Sequence, residues 1–173
     1  RMLSLENTHQ GNVLNENEIE KMASCGKNNG LSIHLDGARL MNAITKLGVE
    51  PKKIVASIDS VSLCLSKGLG TPAGSVLSGS KDFIKRARRI RKLLGGGLRQ
   101  AGILAAAGIY ALDNNVERIA DDHRNALRLA EQLKDISRIK VDLDEVQTNM
   151  VFIEFENGVA PKFRKFMEQK GIL

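Results

Sequence analysis

The sequence predicts an α/β fold built on a mostly parallel sheet, and three observations carry that expectation. Short apolar runs alternate with longer amphipathic stretches, the pattern of strand–helix–strand units. One run, Ser60 to Leu65, is nearly all apolar, as befits a strand buried on both faces of a parallel sheet. Asp36 and Lys67 each follow such a run, at the carboxyl edge where open α/β sheets hold ligands.

Met2 to Leu5 is the first expected strand, leading into Glu6-Asn7-Thr8-His9. Asn17 is the expected cap of a helix from about Glu18 to Cys25, which fades into the turn residues Gly26-Lys27-Asn28-Asn29-Gly30. Leu31-Ser32-Ile33-His34-Leu35 alternates apolar and polar residues and delivers Asp36-Gly37 at its end. Ala38 to Leu47 then reads as a helix closed by Gly48. The Ser60–Leu65 strand runs straight into Ser66-Lys67-Gly68-Leu69-Gly70, and Gly74 to Ser78 is a further short strand. Lys81 to Leu94 is a basic helix broken by Gly95-Gly96-Gly97. Gln100 to Leu112 is so apolar and small that burial on most sides is expected. A helix beginning near Asn114 or Asn115 carries Ile119, Leu127, Ala130 and Leu133. Beyond Ser137 the character changes: strands at Lys140–Leu143 and Met150–Phe155 and a helix at Pro161–Lys170 are expected. The expected division is 1–136, part of a large domain, and 137–173, the start of a small α/β C-terminal domain.

Composition sets the class. Hydrophobic residues make up 42% and charged residues 27%, a globular balance. No apolar run approaches the roughly 20 residues needed to cross a bilayer, so no membrane partner is expected. The start, Arg1-Met2-Leu3-Ser4, lacks the apolar stretch of a secretory signal. Beginning at Arg1 and stopping in mid-pattern at Gly171-Ile172-Leu173, the chain reads as a piece truncated at both ends, which leaves an upstream targeting segment open. Cys25 and Cys64 are too few and too far apart for a disulfide framework or a CxxC metal site. Reduced thiols suit a cytoplasmic location, and no metal is expected. The net charge of +6 and the run from Lys85 to Lys92 raise nucleic acid as a partner. The six aromatic residues (five Phe, one Tyr) all lie outside that run, and without aromatics there for bases to stack on, nucleic acid is not expected.

The chemistry centres on Asp36 and Lys67. Taken singly, Asp-Gly is an ordinary turn and a lysine before glycine an ordinary surface cation. Together on the ends of sheet strands they match the needs of pyridoxal 5'-phosphate. A lysine amine condenses with its aldehyde, and an acid keeps its ring nitrogen protonated so that the ring accepts electrons.

Four segments then show a resemblance: Glu6-Asn7-Thr8-His9, His34-Leu35-Asp36-Gly37-Ala38-Arg39, Ser66-Lys67-Gly68-Leu69-Gly70, and Arg91 to Gly102 around the triple glycine. In this order they resemble the low-specificity L-threonine aldolase family, of the aspartate-aminotransferase-like (fold type I) superfamily. The resemblance implies a pyridoxal-phosphate enzyme that cleaves threonine or allo-threonine to glycine and acetaldehyde, in threonine catabolism and glycine formation. Lys67 and Asp36 would be its catalytic and cofactor-binding residues. Arg39 would stand beside the ring and substrate, and Arg99, with Lys92 less directly, would approach the phosphate. Leu98 replaces the methionine frequent in the family, a volume-conserving change. A homodimer or homotetramer is implied, with the active site near a subunit boundary. The resemblance also places a phosphate-binding turn and a ring-stacking histidine before Glu6, and a carboxylate-gripping arginine past Leu173. By itself the chain is therefore expected to turn over little or no substrate. His34 reads as a structural histidine, His123 as a surface residue, and His9 receives no role. The alternatives are another fold-type-I lyase or transaminase, and an inactive truncated relative acting as a subunit or binding module.

Overall fold

A computed structural model describes residues 1–172. Strands β1 (Met2–Glu6), β2 (Ser32–Gly37) and β3 (Ser60–Cys64) are parallel, and β4 (Ser75–Gly79) joins antiparallel in the order β1-β2-β3-β4. Strand alternation sorts the side chains by face. The register pairs Leu3 with Ile33, Leu5 with Leu35, and Leu35 with Val61, which makes one face apolar. Helices α1 (Glu16–Asn28), α2 (Leu40–Leu47) and α3 (Pro51–Ile54) supply Ile19, Ala23, Leu40, Ile44 and Ile54 to the core on that face. Each such Leu or Ile is worth about 1.5–3 kcal/mol of burial. The opposite face carries Ser4, His34 and Ser60, then Glu6, Asp36 and Ser62. His34 is satisfied there, with Nδ1 2.8 Å from Ser60 Oγ.

Several boundaries differ from expectation for local reasons. The cap of α1 is Asn15, not Asn17: Asn15 Oδ1 accepts from the N–H groups of Asn17 and Glu18, and Glu18 accepts from the Asn15 N–H. Helix α2 begins at Leu40 rather than Ala38, because the Asp36 carboxylate takes the Ala38 N–H at 3.0 Å and holds a turn there. It ends as expected at Gly48, whose φ of 65° suits glycine. The short helix α3, with Pro51 in its first turn, was not expected. Burial of β3 on both faces is not realised. Only Ser60 is fully buried and β4 is exposed throughout, because the helices of this chain cover one side of the sheet.

Helix α4 (Lys81–Leu93) is capped by Ser80, whose Oγ accepts from the Phe83 N–H. The apolar helix α5 (Gly102–Asn114) departs most from expectation. Only Gly108 and Ala111 are buried, while Ile103, Ile109 and Tyr110 are 84%, 63% and 65% exposed. It rests one stripe on the cluster of Leu65, Leu69 and Ile119, and its remaining apolar surface stays open. Helix α6 (Ile119–Leu133) packs Ala126 and Ala130 against Val146. The next strands, β5 (Ile139–Lys140) and β6 (Glu154–Phe155), form a two-stranded sheet shorter than expected, and α7 (Val159–Gln169) follows. This last segment is tied to the loop after β1: Thr148 Oγ1 donates to the Gly11 carbonyl at 2.8 Å, and the Val13 N–H to Gln147 Oε1 at 2.9 Å. Among the described residues, no helix is long and apolar enough to cross a membrane.

Candidate active site

The carboxyl ends of the three parallel strands lie side by side, since Glu6 pairs with Asp36 and Asp36 with Ser62. Neighbouring strands are about 4.8 Å apart, so the residues leaving them share one edge.

Beyond β1, buried Asn7 organises the exit. Its N–H donates to the Asp36 carbonyl at 3.0 Å, its Nδ2 to the Leu14 carbonyl at 2.9 Å, and its Oδ1 accepts from the Leu14 N–H. This clamp leaves His9 exposed, with Nδ1 2.5 Å from the Glu6 carboxylate. Thr8 is buried, and its hydroxyl has no protein partner. Beyond β2, Asp36 is exposed. Arg39 stands just before α2, half-buried, with its Nε likewise buried and unpartnered. Two orphaned polar atoms beside one strand edge are unusual, since buried polar groups are normally satisfied.

Lys67 sits on a tightly closed loop after β3. The Leu65 N–H donates to the Gly74 carbonyl, the Thr71 N–H to the Leu65 carbonyl at 3.1 Å, and the Gly70 N–H to the Lys67 carbonyl at 2.9 Å. Gly70 takes a φ of 75°, a conformation that favours glycine. Leu69 is the loop's buried anchor, and Asn115 Nδ2 donates to its carbonyl at 2.8 Å. Lys67 itself is exposed on the same sheet edge as Asp36. Cys64 lies at the root of this loop. Burial, the largest influence, pushes its thiol up, but the Ser66 hydroxyl and N–H, the Lys67 charge and Ser75 outweigh it and hold the thiol below its ordinary range.

The structure thus brings Asp36, Arg39 and Lys67 to one edge. Arg99 stands apart in the exposed connection between α4 and α5, making no ion pair among the described residues. The helix expected from Gln100 begins at Gly102. Reading His123 as a surface residue is corrected: it is half-buried on α6, with Nε2 3.2 Å from Nδ2 of buried Asn42. Burial first, then Lys46, push the His123 imidazolium below its ordinary range, with Asp122 opposing them. Sequence reasoning also missed the Glu6–His9 pair and the Thr8 hydroxyl. Glu6 and His9 stood within one motif, but neither pairing nor burial is a property of the motif.

The sequence profile of a family described as beta-eliminating lyase matches residues 1–156. Over 173 residues the chain is 47% identical to the low specificity L-threonine aldolase of Escherichia coli K12, covering 100% of this chain and 51% of that protein. It is 46% identical to low-specificity L-threonine aldolase 1 of Arabidopsis thaliana, covering 100% of this chain and 50% of that one. The chain therefore spans about half the length of these curated relatives. A solved structure from Listeria monocytogenes, provisionally described as an L-allo-threonine aldolase, superposes with a TM-score of 0.84 at 28% identity, covering 98% of this chain and 49% of that one. The expected α/β fold with a mostly parallel sheet is the fold observed, and the Listeria structure shares it.

Proposed function

The chain belongs to the beta-eliminating lyase family, and on that premise we propose that it forms part of a pyridoxal-phosphate enzyme cleaving threonine or allo-threonine to glycine and acetaldehyde. The observation that carries the proposal is the placing of Asp36 and Lys67 at the ends of neighbouring parallel strands. The L-threonine aldolase names of relatives at 46% and 47% identity support the substrate class.

The residues present fit the cofactor. Its aldehyde needs an amine, supplied by Lys67, and its ring nitrogen an acid, supplied by Asp36. Its oxygens need donors, and the unpartnered Arg39 Nε and Thr8 hydroxyl stand at the same edge. When bound, pyridoxal phosphate supplies the electron sink for charge released as a bond to the amino-acid α-carbon breaks. The chain's own share is binding, orientation and proton management. The carboxylate of Asp36 would hold the ring-nitrogen proton, its strand fixed by main-chain bonds on both sides. Glu6 fixes the orientation of the His9 ring at this edge, its carboxylate 2.5 Å from Nδ1. Arg99 would meet the phosphate from the α4–α5 connection.

The same reading makes residues 1–136 part of a cofactor-binding large domain and 137–173 the start of a small one. It makes the whole enzyme a cytoplasmic homodimer or homotetramer acting in threonine catabolism and glycine formation. The family description favours one second reading, β-elimination, which from threonine yields 2-oxobutyrate and ammonia instead. Incubating the full-length protein and cofactor with threonine and assaying products decides between them. Glycine and acetaldehyde in equal amounts are expected, and 2-oxobutyrate without glycine refutes the aldol reading.

A further inference from the structure

We infer that Asn42 and His123 are a positioning pair that seats the Lys67–Gly68 turn against the helix leaving Asp36 and Arg39. The inference rests on reading Lys67 as the cofactor lysine. Asn42 lies on α2 about one turn beyond Arg39 and is 1% exposed. Its carboxamide has two sides. Nδ2 lies 3.2 Å from His123 Nε2, across the contact between α2 and α6. Oδ1 lies so near the backbone of Gly68 that a Cβ there would come within 2.7 Å of it. The carboxamide is therefore held between α6 and the residue following Lys67, and glycine is what permits so close an approach.

The stripe of α6 that turns inward is otherwise apolar: Ile119, Ala126 and Ala130 are its buried residues. Only one histidine interrupts it, at the point where Asn42 needs an acceptor. Nδ2 carries hydrogens and no lone pair, so His123 Nε2 must be bare, with the ring proton on Nδ1. The charged groups facing the ring are Lys46 from α2 and Asp122 from α6 itself, and burial with Lys46 disfavours the imidazolium. The neutral ring thus fixes which way the carboxamide turns and presents Oδ1 to Gly68. Asp36, Arg39 and Asn42 follow one another on a single strand–helix unit. Contact between Asn42 and Gly68 therefore sets the lysine relative to the acid, and His123 acts only through Asn42.

The test uses full-length protein. Attachment of added pyridoxal phosphate to Lys67 is followed by absorbance and by borohydride trapping with peptide mapping, alongside kcat, KM and the thermal midpoint. His123→Leu retains bulk but removes the acceptor, and should slow attachment and lower kcat by about 10- to 100-fold, with KM changed much less. His123→Gln offers an Oε1 acceptor to Asn42 and should recover most of both. Asn42→Ala should act as His123→Leu does, and His123→Gln should not rescue it. A normal attachment rate and kcat in His123→Leu, or a fall in thermal midpoint alone, overturns the pair as a positioning device. So does His123→Gln performing no better than His123→Leu at an equal thermal midpoint. Trapped cofactor on another lysine of the unsubstituted protein refutes the parent reading instead, so the two failures are distinguishable.

Discussion

In the proposed site Lys67 and Asp36 would divide the cofactor work, and single substitutions separate their roles. In the full-length protein Lys67→Ala should abolish borohydride-stable attachment of the cofactor, read by peptide mass. Asp36→Asn keeps the shape but removes the charge proposed to retain the ring proton. The cofactor should still attach, while threonine cleavage, assayed as acetaldehyde released, falls by about two orders of magnitude or more. Unchanged cleavage would remove Asp36 from the mechanism. His123 gives a pH signature independent of activity. Its imidazolium is disfavoured in the fold, so below its ordinary value of about 6.5 the unfolded chain binds more protons than the folded one. Its contribution is fully present above that pH and is lost as pH falls through the lowered folded value. The thermal midpoint of the full-length apoprotein should therefore drop, as pH falls below about 6.5, more steeply than that of His123→Gln.

At the scale of elements, capping separates what neighbours in sequence can do from what they merely suggest. Asn15 and Asn17 are both plausible caps by residue type, but only Asn15 closes the reciprocal box with Glu18. Asn15→Ala should lower stability by about 1 kcal/mol, whereas Asn17→Ala should stay within about 0.5 kcal/mol. Denaturant titration of the two variants checks the difference, and a larger loss from Asn17→Ala would contradict the cap assignment. The strand-to-helix turn at Asp36–Leu40 follows the same logic. A carboxylate that accepts the Ala38 N–H delays the helix by two residues, which keeps Asp36 and Arg39 outside it on the sheet edge.

Across the whole molecule, the uncovered surface is concentrated on α5 and the connection before it. Leu93, Leu94, Leu98, Ile103, Ile109 and Tyr110 are all exposed, and clustered large apolar side chains left open to water favour association. The 173-residue chain alone should therefore self-associate in sedimentation and show little or no threonine cleavage. In the full-length protein, Ile103→Glu with Ile109→Glu should weaken the proposed homo-oligomer and shift its sedimentation toward the monomer. A compact, fully active monomer of the short chain would contradict both expectations.

The α/β class, the strand-end positions of Asp36 and Lys67, the basic helix and the Gly48 stop were legible in the sequence. Each depends on the side-chain period or on the conformational preference of adjacent residues, and the observed elements match them within a few positions. The cap of α1 and the delayed start of α2 were less legible, because several side chains compete locally for the same N–H groups. Pairings across distance belong to the tertiary structure alone. Asn42 meets His123 across 81 positions, and Thr148 meets Gly11 across 137. Nothing in either local stretch encodes its partner. What covers α5 was not legible for the complementary reason: apolar composition states that a helix needs cover, whereas the packing of other elements decides whether this chain supplies any.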